Sequence, residues 1–86
     1  MAKPKPFVEV NYEGLQIAVV ITFSRTYLVV DGMVRDTYKG VVTSSFKLQC
    51  EVNDVKIVAE FKMQICGLVL YLYCNDTLVA KKWHIF

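Results

Sequence analysis

The sequence predicts an all-β protein of about eight short antiparallel strands. They fall into two four-strand meanders that make a β-sandwich or a flattened barrel. Three observations carry this. Apolar residues recur at every second position through most of the chain. Val, Ile, Thr and the aromatics, which suit a pleated surface, make up 35 of the 86 residues. Four turn signals, Glu13-Gly14, Asp31-Gly32, Asn53-Asp54 and Asn75-Asp76, each join two apolar runs. Asp-Gly suits a type I′ hairpin, because both central residues must take positive φ.

Residues 1–6 carry Pro4 and Pro6 and read as a tail that cannot pair fully. Residues 7–86 read as one domain, with strands at 7–12, 15–23, 26–31, 33–38, 46–52, 55–65, 68–74 and 77–85. In 15–23, Leu15, Ile17, Val19, Ile21 and Phe23 alternate with Gln16, Ala18, Val20 and Thr22. In 55–65, Ile57, Phe61 and Ile65 fall on the face expected in the core, and Lys56, Glu60 and Lys62 on the other. A helix would scatter those charges around its circumference. Lys39-Gly40 and Thr43-Ser44-Ser45 mark a longer break in the middle, and the short connections elsewhere make antiparallel hairpins.

The two halves, 7–40 and 46–86, also align as a possible internal repeat. Val8, Val10 and Tyr12 match Leu48, Cys50 and Val52 at an offset of 40, as do Leu15 to Phe23 and Val55 to Met63. At an offset of 44, Tyr27 to Val30 match Tyr71 to Cys74, and Asp31-Gly32 matches Asn75-Asp76.

Composition narrows the function classes. At 55% apolar and 21% charged, the chain is too hydrophobic for disorder. A net charge of +2 implies no electrostatic function by itself. The N-terminus shows no apolar signal region, and no uncharged run approaches the roughly 18–20 residues of a membrane span. Three cysteines, an odd number, predict free thiols and a cytoplasmic, reducing location. Cys50 and Cys74 fall on inner faces as small core hydrophobes, whereas Cys66 falls opposite and is a candidate reactive thiol.

No catalytic residue, metal site or cofactor is expected. The single His, His84, stands between Trp83 and Ile85 near the end of the last strand, where an outward or packed role suffices. The carboxylates are dispersed, with Asp31, Asp54 and Asp76 in turns, and the four glycines are isolated, so no phosphate loop forms.

The segment Gln64 to Asn75 holds twelve uncharged residues and is apolar on both faces from Leu68 to Cys74. A sandwich strand buries one face, so Val69, Tyr71 and Tyr73 are the candidate interface for a protein partner or a second copy. Arg25, Arg35, Lys81, Lys82 and Trp83 are the candidate contacts of the alternative, a small β-barrel that binds nucleic acid. That alternative requires the basic residues to converge on one face.

The run TYLVVDGMVRD, Thr26 to Asp36, resembles the strand–Asp-Gly–strand hairpin of the Fas apoptotic inhibitory molecule family, and YLYCNDTLVAKKW resembles its second hairpin type. The resemblance spans about a third of the chain. It implies a compact antiparallel β-sandwich and a non-enzymatic cytosolic interaction protein, and transfers no functional residue. Together these readings predict a non-enzymatic interaction and regulatory module that binds protein and self-associates.

Overall fold

The computed structural model describes residues 5–40 and 45–85. The first four residues of the expected tail, Thr43 and Ser44 of the expected break, and Phe86 lie outside the described residues. Strands β1 (Val8–Tyr12), β2 (Leu15–Ile21), β3 (Arg25–Val30) and β4 (Met33–Lys39) pair in chain order as an N-terminal sheet. Strands β5 (Phe46–Val52), β6 (Val55–Gln64), β7 (Gly67–Cys74) and β8 (Thr77–Ile85) form a C-terminal sheet in the same way. Every neighbouring pair is antiparallel.

The four expected two-residue turns form with both residues left-handed. Their φ values are 48° and 82° at Glu13-Gly14, 51° and 78° at Asp31-Gly32, 51° and 64° at Asn53-Asp54, and 50° and 65° at Asn75-Asp76. This is the type I′ geometry, whose twist matches that of the strands it joins. Side chains reinforce it. Asp31 Oδ1 accepts the Gln16 N–H at 2.9 Å, and Asn75 Oδ1 accepts the Lys56 N–H at 2.9 Å. The third strand of each sheet also meets a register shift, between Leu28 and Val29 in one sheet and between Leu72 and Tyr73 in the other. There the facing strand bulges by one residue.

Register decides what is buried. Ile17, Val19, Leu28 and Val30 of the N-terminal sheet meet Ile57, Ala59, Phe61, Leu70, Leu72 and Cys74 of the C-terminal sheet in one core. The Cα trace spans 35 × 33 × 17 Å, and the short dimension is that of two stacked sheets. The architecture is therefore a sandwich, with edges stitched by side chains. Asp36 Oδ2 accepts the Gln49 N–H at 3.0 Å between β4 and β5, beside a stack of Tyr38 on Phe46 at 4.0 Å. On the opposite edge Lys82 Nζ donates to the Phe7 carbonyl at 2.9 Å, and the Phe7 ring meets the His84 ring edge-on at 5.6 Å. Thr26 is fully buried, and its hydroxyl has no partner among the described residues. An unmatched buried hydroxyl costs about 1–3 kcal/mol.

Two expectations are corrected. Phe23 and Ile65 keep the core parity of β2 and β6, yet Phe23 is 87% exposed and Ile65 fully exposed. Pairing stops before them. Thr22 closes the β2–β3 connection by accepting the Arg25 N–H at its hydroxyl and donating its own N–H to the Arg25 carbonyl. Ile65 and Cys66 form the two-residue link between β6 and β7. Alternation fixes which way a side chain points, but not where the facing sheet ends.

The opposite faces of β6 give a stability test. Phe61 is fully buried and stacks on Phe46 at 4.5 Å, so Phe61→Ala is expected to cost about 3–5 kcal/mol. Lys62 is exposed, and Lys62→Ala is expected to cost less than about 1 kcal/mol. Urea unfolding of the two variants checks this, and equal effects would contradict the assignment of faces.

Candidate interaction surfaces

The outer face of the C-terminal sheet carries the expected interface residues. Val69 pairs with Lys62 on one side and Trp83 on the other, and it is 0% exposed. Its burial is complete within one chain, so it offers no surface to a partner, and the expectation for Val69 is corrected. Tyr71 is half-buried, with Lys62 Nζ at 5.3 Å and Lys81 Nζ at 5.4 Å from its ring centroid. Lys62 also meets the Glu60 carboxylate at 3.7 Å. Lysine stems thus lie along the apolar surface and keep their charged ends in water. Tyr73 is half-buried and lines a shallow recess with Lys47, Gln49 and Lys56. Charged side chains dress this face.

The outer face of the N-terminal sheet is different, and sequence reasoning missed it. The outward residues of β2 are Gln16, Ala18 and Val20, with no charge among them, whereas β6 presents Lys56, Val58, Glu60 and Lys62. Ala18 pairs with Val29, Val29 with Val34, and Val20 with Tyr27. The result is an apolar patch in which Val20, Tyr27 and Val29 are half-buried and Val34 is 53% exposed. These four line an open groove of about 490 Å³ together with Pro6, Glu9 and Gly32, and Glu9 pairs with Ala18. Glu9 is the one charged residue lining it, and other charges stand at its ends. Arg25 pairs with Lys39 at one end, and Asp31 binds Gln16 at the other.

The candidate nucleic-acid contacts do not converge on one face. Arg25 lies on the outer face of the N-terminal sheet, and Lys81 and Trp83 on that of the C-terminal sheet. Lys82 turns toward β1, and Arg35 stands at the β4 bulge. No basic groove runs through them.

No group of three or more His, Cys, Asp or Glu suited to a metal occurs among the described residues. No helix long and apolar enough to cross a membrane occurs among the described residues. His84 packs against Phe7. The thiols divide as their faces dictate, with Cys66 exposed, Cys50 half-buried and Cys74 buried. Burial pushes the Cys74 thiol up from its ordinary value, and the nearby Cys50 and Glu13 push the same way. Burial also raises Cys50; Arg35 works against that and Asp36 adds to it. No family model matches the chain, and no curated protein or solved structure does either.

These thiols yield a prediction with a definite sign. A thiol whose pKa is raised on folding favours the folded state fully below its unfolded value, and that stability is lost as pH rises through the folded value. Stability is therefore expected to fall above about pH 9, the ordinary thiol value, and Cys74→Ala is expected to blunt the fall. In the native state one thiol, Cys66, is expected to react rapidly with a disulfide reagent. Half-buried Cys50 should react more slowly, and buried Cys74 only at the rate of unfolding, as time-resolved thiol titration would read.

Proposed function

We propose that the chain is a non-enzymatic, cytoplasmic interaction module that pairs with a second copy of itself through the outer face of the N-terminal sheet. The single observation that carries this is the bare apolar patch of Val20, Tyr27, Val29 and Val34. Contiguous apolar surface rimmed by polar residues marks interaction sites rather than ordinary solvent surface. The charges at its margins favour a second copy. A two-fold axis lying in the face and across the strands sets the Arg25–Lys39 end of one copy over the Asp31–Gln16 end of the other, so opposite charges meet around an apolar centre. The face of a slab spanning 35 × 33 Å is broad enough for the roughly 800 Å² per partner of a specific interface.

Three unpaired thiols suit a reducing compartment. The hairpin resemblance to the Fas apoptotic inhibitory molecule family points the same way. Nucleic-acid binding remains the lesser reading, because Arg25, Lys82 and the pair Lys81 and Trp83 face different ways although they share one half of the sandwich, and Arg35 stands apart at the β4 bulge. We also infer that residues 7–40 and 46–86 are two versions of one four-strand unit. The matching type I′ turns, register shifts and Asp31 and Asn75 hydrogen bonds support it. On this reading one unit dressed its outer face with lysines and the other left it bare for pairing.

Sedimentation velocity over a micromolar concentration series tests the pairing. The native chain is expected to dimerise, and Tyr27→Glu with Val34→Glu to weaken the dimer by at least about tenfold while the chain stays folded, its melt losing the concentration dependence that the native dimer shows. Tyr71→Glu is expected to leave it intact. A native chain that stays monomeric throughout would overturn the proposal, as would a dimer lost only on Tyr71→Glu.

A further inference from the structure

The two apolar tips corrected above lie at the same end of the sandwich. Phe7 donates its N–H to the Val19 carbonyl, near the Phe23 end of β2. His84 pairs with Leu68, and Leu68 with Met63, near the Ile65 end of β6. The contact of the Phe7 and His84 rings brings those two ends together. The stack of Tyr38 on Phe46 does so on the other edge, since Tyr38 pairs with Thr26 and Phe46 with Phe61.

Charge is sorted along the same axis. Beside the Phe23 tip stand Arg25 and Lys39, with Gly40, the next residue, bound to Ser24. Below the Ile65 tip stand Lys62 and Lys82, and Lys81 shares the next row down with Glu60. The strand rows above Glu60 carry no acidic side chain among the described residues. The opposite end holds the four type I′ turns, with Glu13, Asp31, Asp54 and Asp76, which outnumber the basic Lys56 and Arg35 there. A net charge of +2 conceals this polarity. The turns differ too. Those at the acidic end use Asp, Asn, Glu and Gly, whereas those at the basic end project Phe23 and Ile65-Cys66, where polar turn residues are the rule.

We propose that this basic, apolar-tipped end docks onto an anionic lipid surface, with Phe23 and Ile65 entering the boundary below the headgroups and the flanking Arg25, Lys39 and Lys62 meeting the phosphates. Shallow apolar insertion combined with attraction to anionic lipid is the energetics of interfacial anchoring, to which each nearby basic residue adds. Trp83, 55% exposed and set back from Ile65, stands at the depth of the interfacial zone that indole rings favour. A lipid surface fits better than a nucleic acid, because a fully exposed aliphatic tip such as Ile65 has no base to stack on. Arg25 and Lys39 border both this end and the N-terminal face, so lipid binding and pairing are separated by the Tyr27→Glu, Val34→Glu chain, whose substitutions lie on the face alone.

The only Trp, Trp83, is a built-in probe. The full chain is mixed with vesicles of phosphatidylcholine alone, and with vesicles of equal parts phosphatidylcholine and phosphatidylserine. A blue-shifted emission and co-sedimentation are expected with the anionic vesicles only, weakening as salt rises. Phe23→Ser with Ile65→Ser is expected to weaken vesicle binding by at least about tenfold with an unchanged melt, since both side chains are solvent-exposed. Arg25→Glu with Lys39→Glu should do the same, and the pairing-deficient Tyr27→Glu, Val34→Glu chain should still bind. Absence of binding to anionic vesicles at low salt would overturn the proposal. So would binding indifferent to the two tips, or capture of a single-stranded oligonucleotide in place of vesicles.

Discussion

Register, pinned by four left-handed two-residue turns, is the constraint on which the rest of the structure depends. Each turn allows one pairing of its two strands, and a slip of one residue would carry Ile57 and Phe61 into water and Lys56, Glu60 and Lys62 into the core. Burying several charges would cost more than a domain of this size has in hand. Glu13 shows how strongly the turn is imposed, for a side chain poorly suited to positive φ adopts 48° there. Once the turns are set, the inner faces meet as one core and the outer faces are determined as well.

The outer faces then diverge. In the C-terminal sheet Lys62 and Lys81 flank Tyr71, and Lys62 and Trp83 are the cross-strand neighbours of Val69, so a strand apolar on both sides is sealed by its own sheet. In the N-terminal sheet the corresponding neighbours are Ala18, Val20 and Val34, which shield nothing with charge. Two meanders of one plan thus present a closed face and an open one, while the strand ends separate basic apolar tips from acidic turns. The open face and the basic end meet at Arg25 and Lys39.

Much of this architecture was legible in the sequence, because a period of two is a direct statement about direction. The eight strands and the inner placement of Cys74 follow from it, the four turns follow from their Asp, Asn and Gly residues, and Cys66 is exposed because it lies in the β6–β7 link. What escaped was anything that depends on neighbours across strands. Leu68 to Cys74 attracted notice as a long uncharged run, yet the side chains that cover it come from β6 and β8, and only the register names them. The open patch went unseen because its members are split between β2, β3 and β4, with no long run in any of them. Phe23 and Ile65 misled because alternation continues past the last hydrogen bond of a hairpin. The polarity of charge was hidden for the same reason, since residues far apart in the chain share one end of the sandwich.

The most direct test of this division of surfaces is a methyl-resolved NMR dilution series on the native chain. The methyl signals of Val20, Val29 and Val34 should shift with concentration, while those of Val58 and Leu78 on the dressed face stay fixed. Concentration-dependent shifts at Val58 and Leu78, with Val20, Val29 and Val34 unmoved, would contradict it.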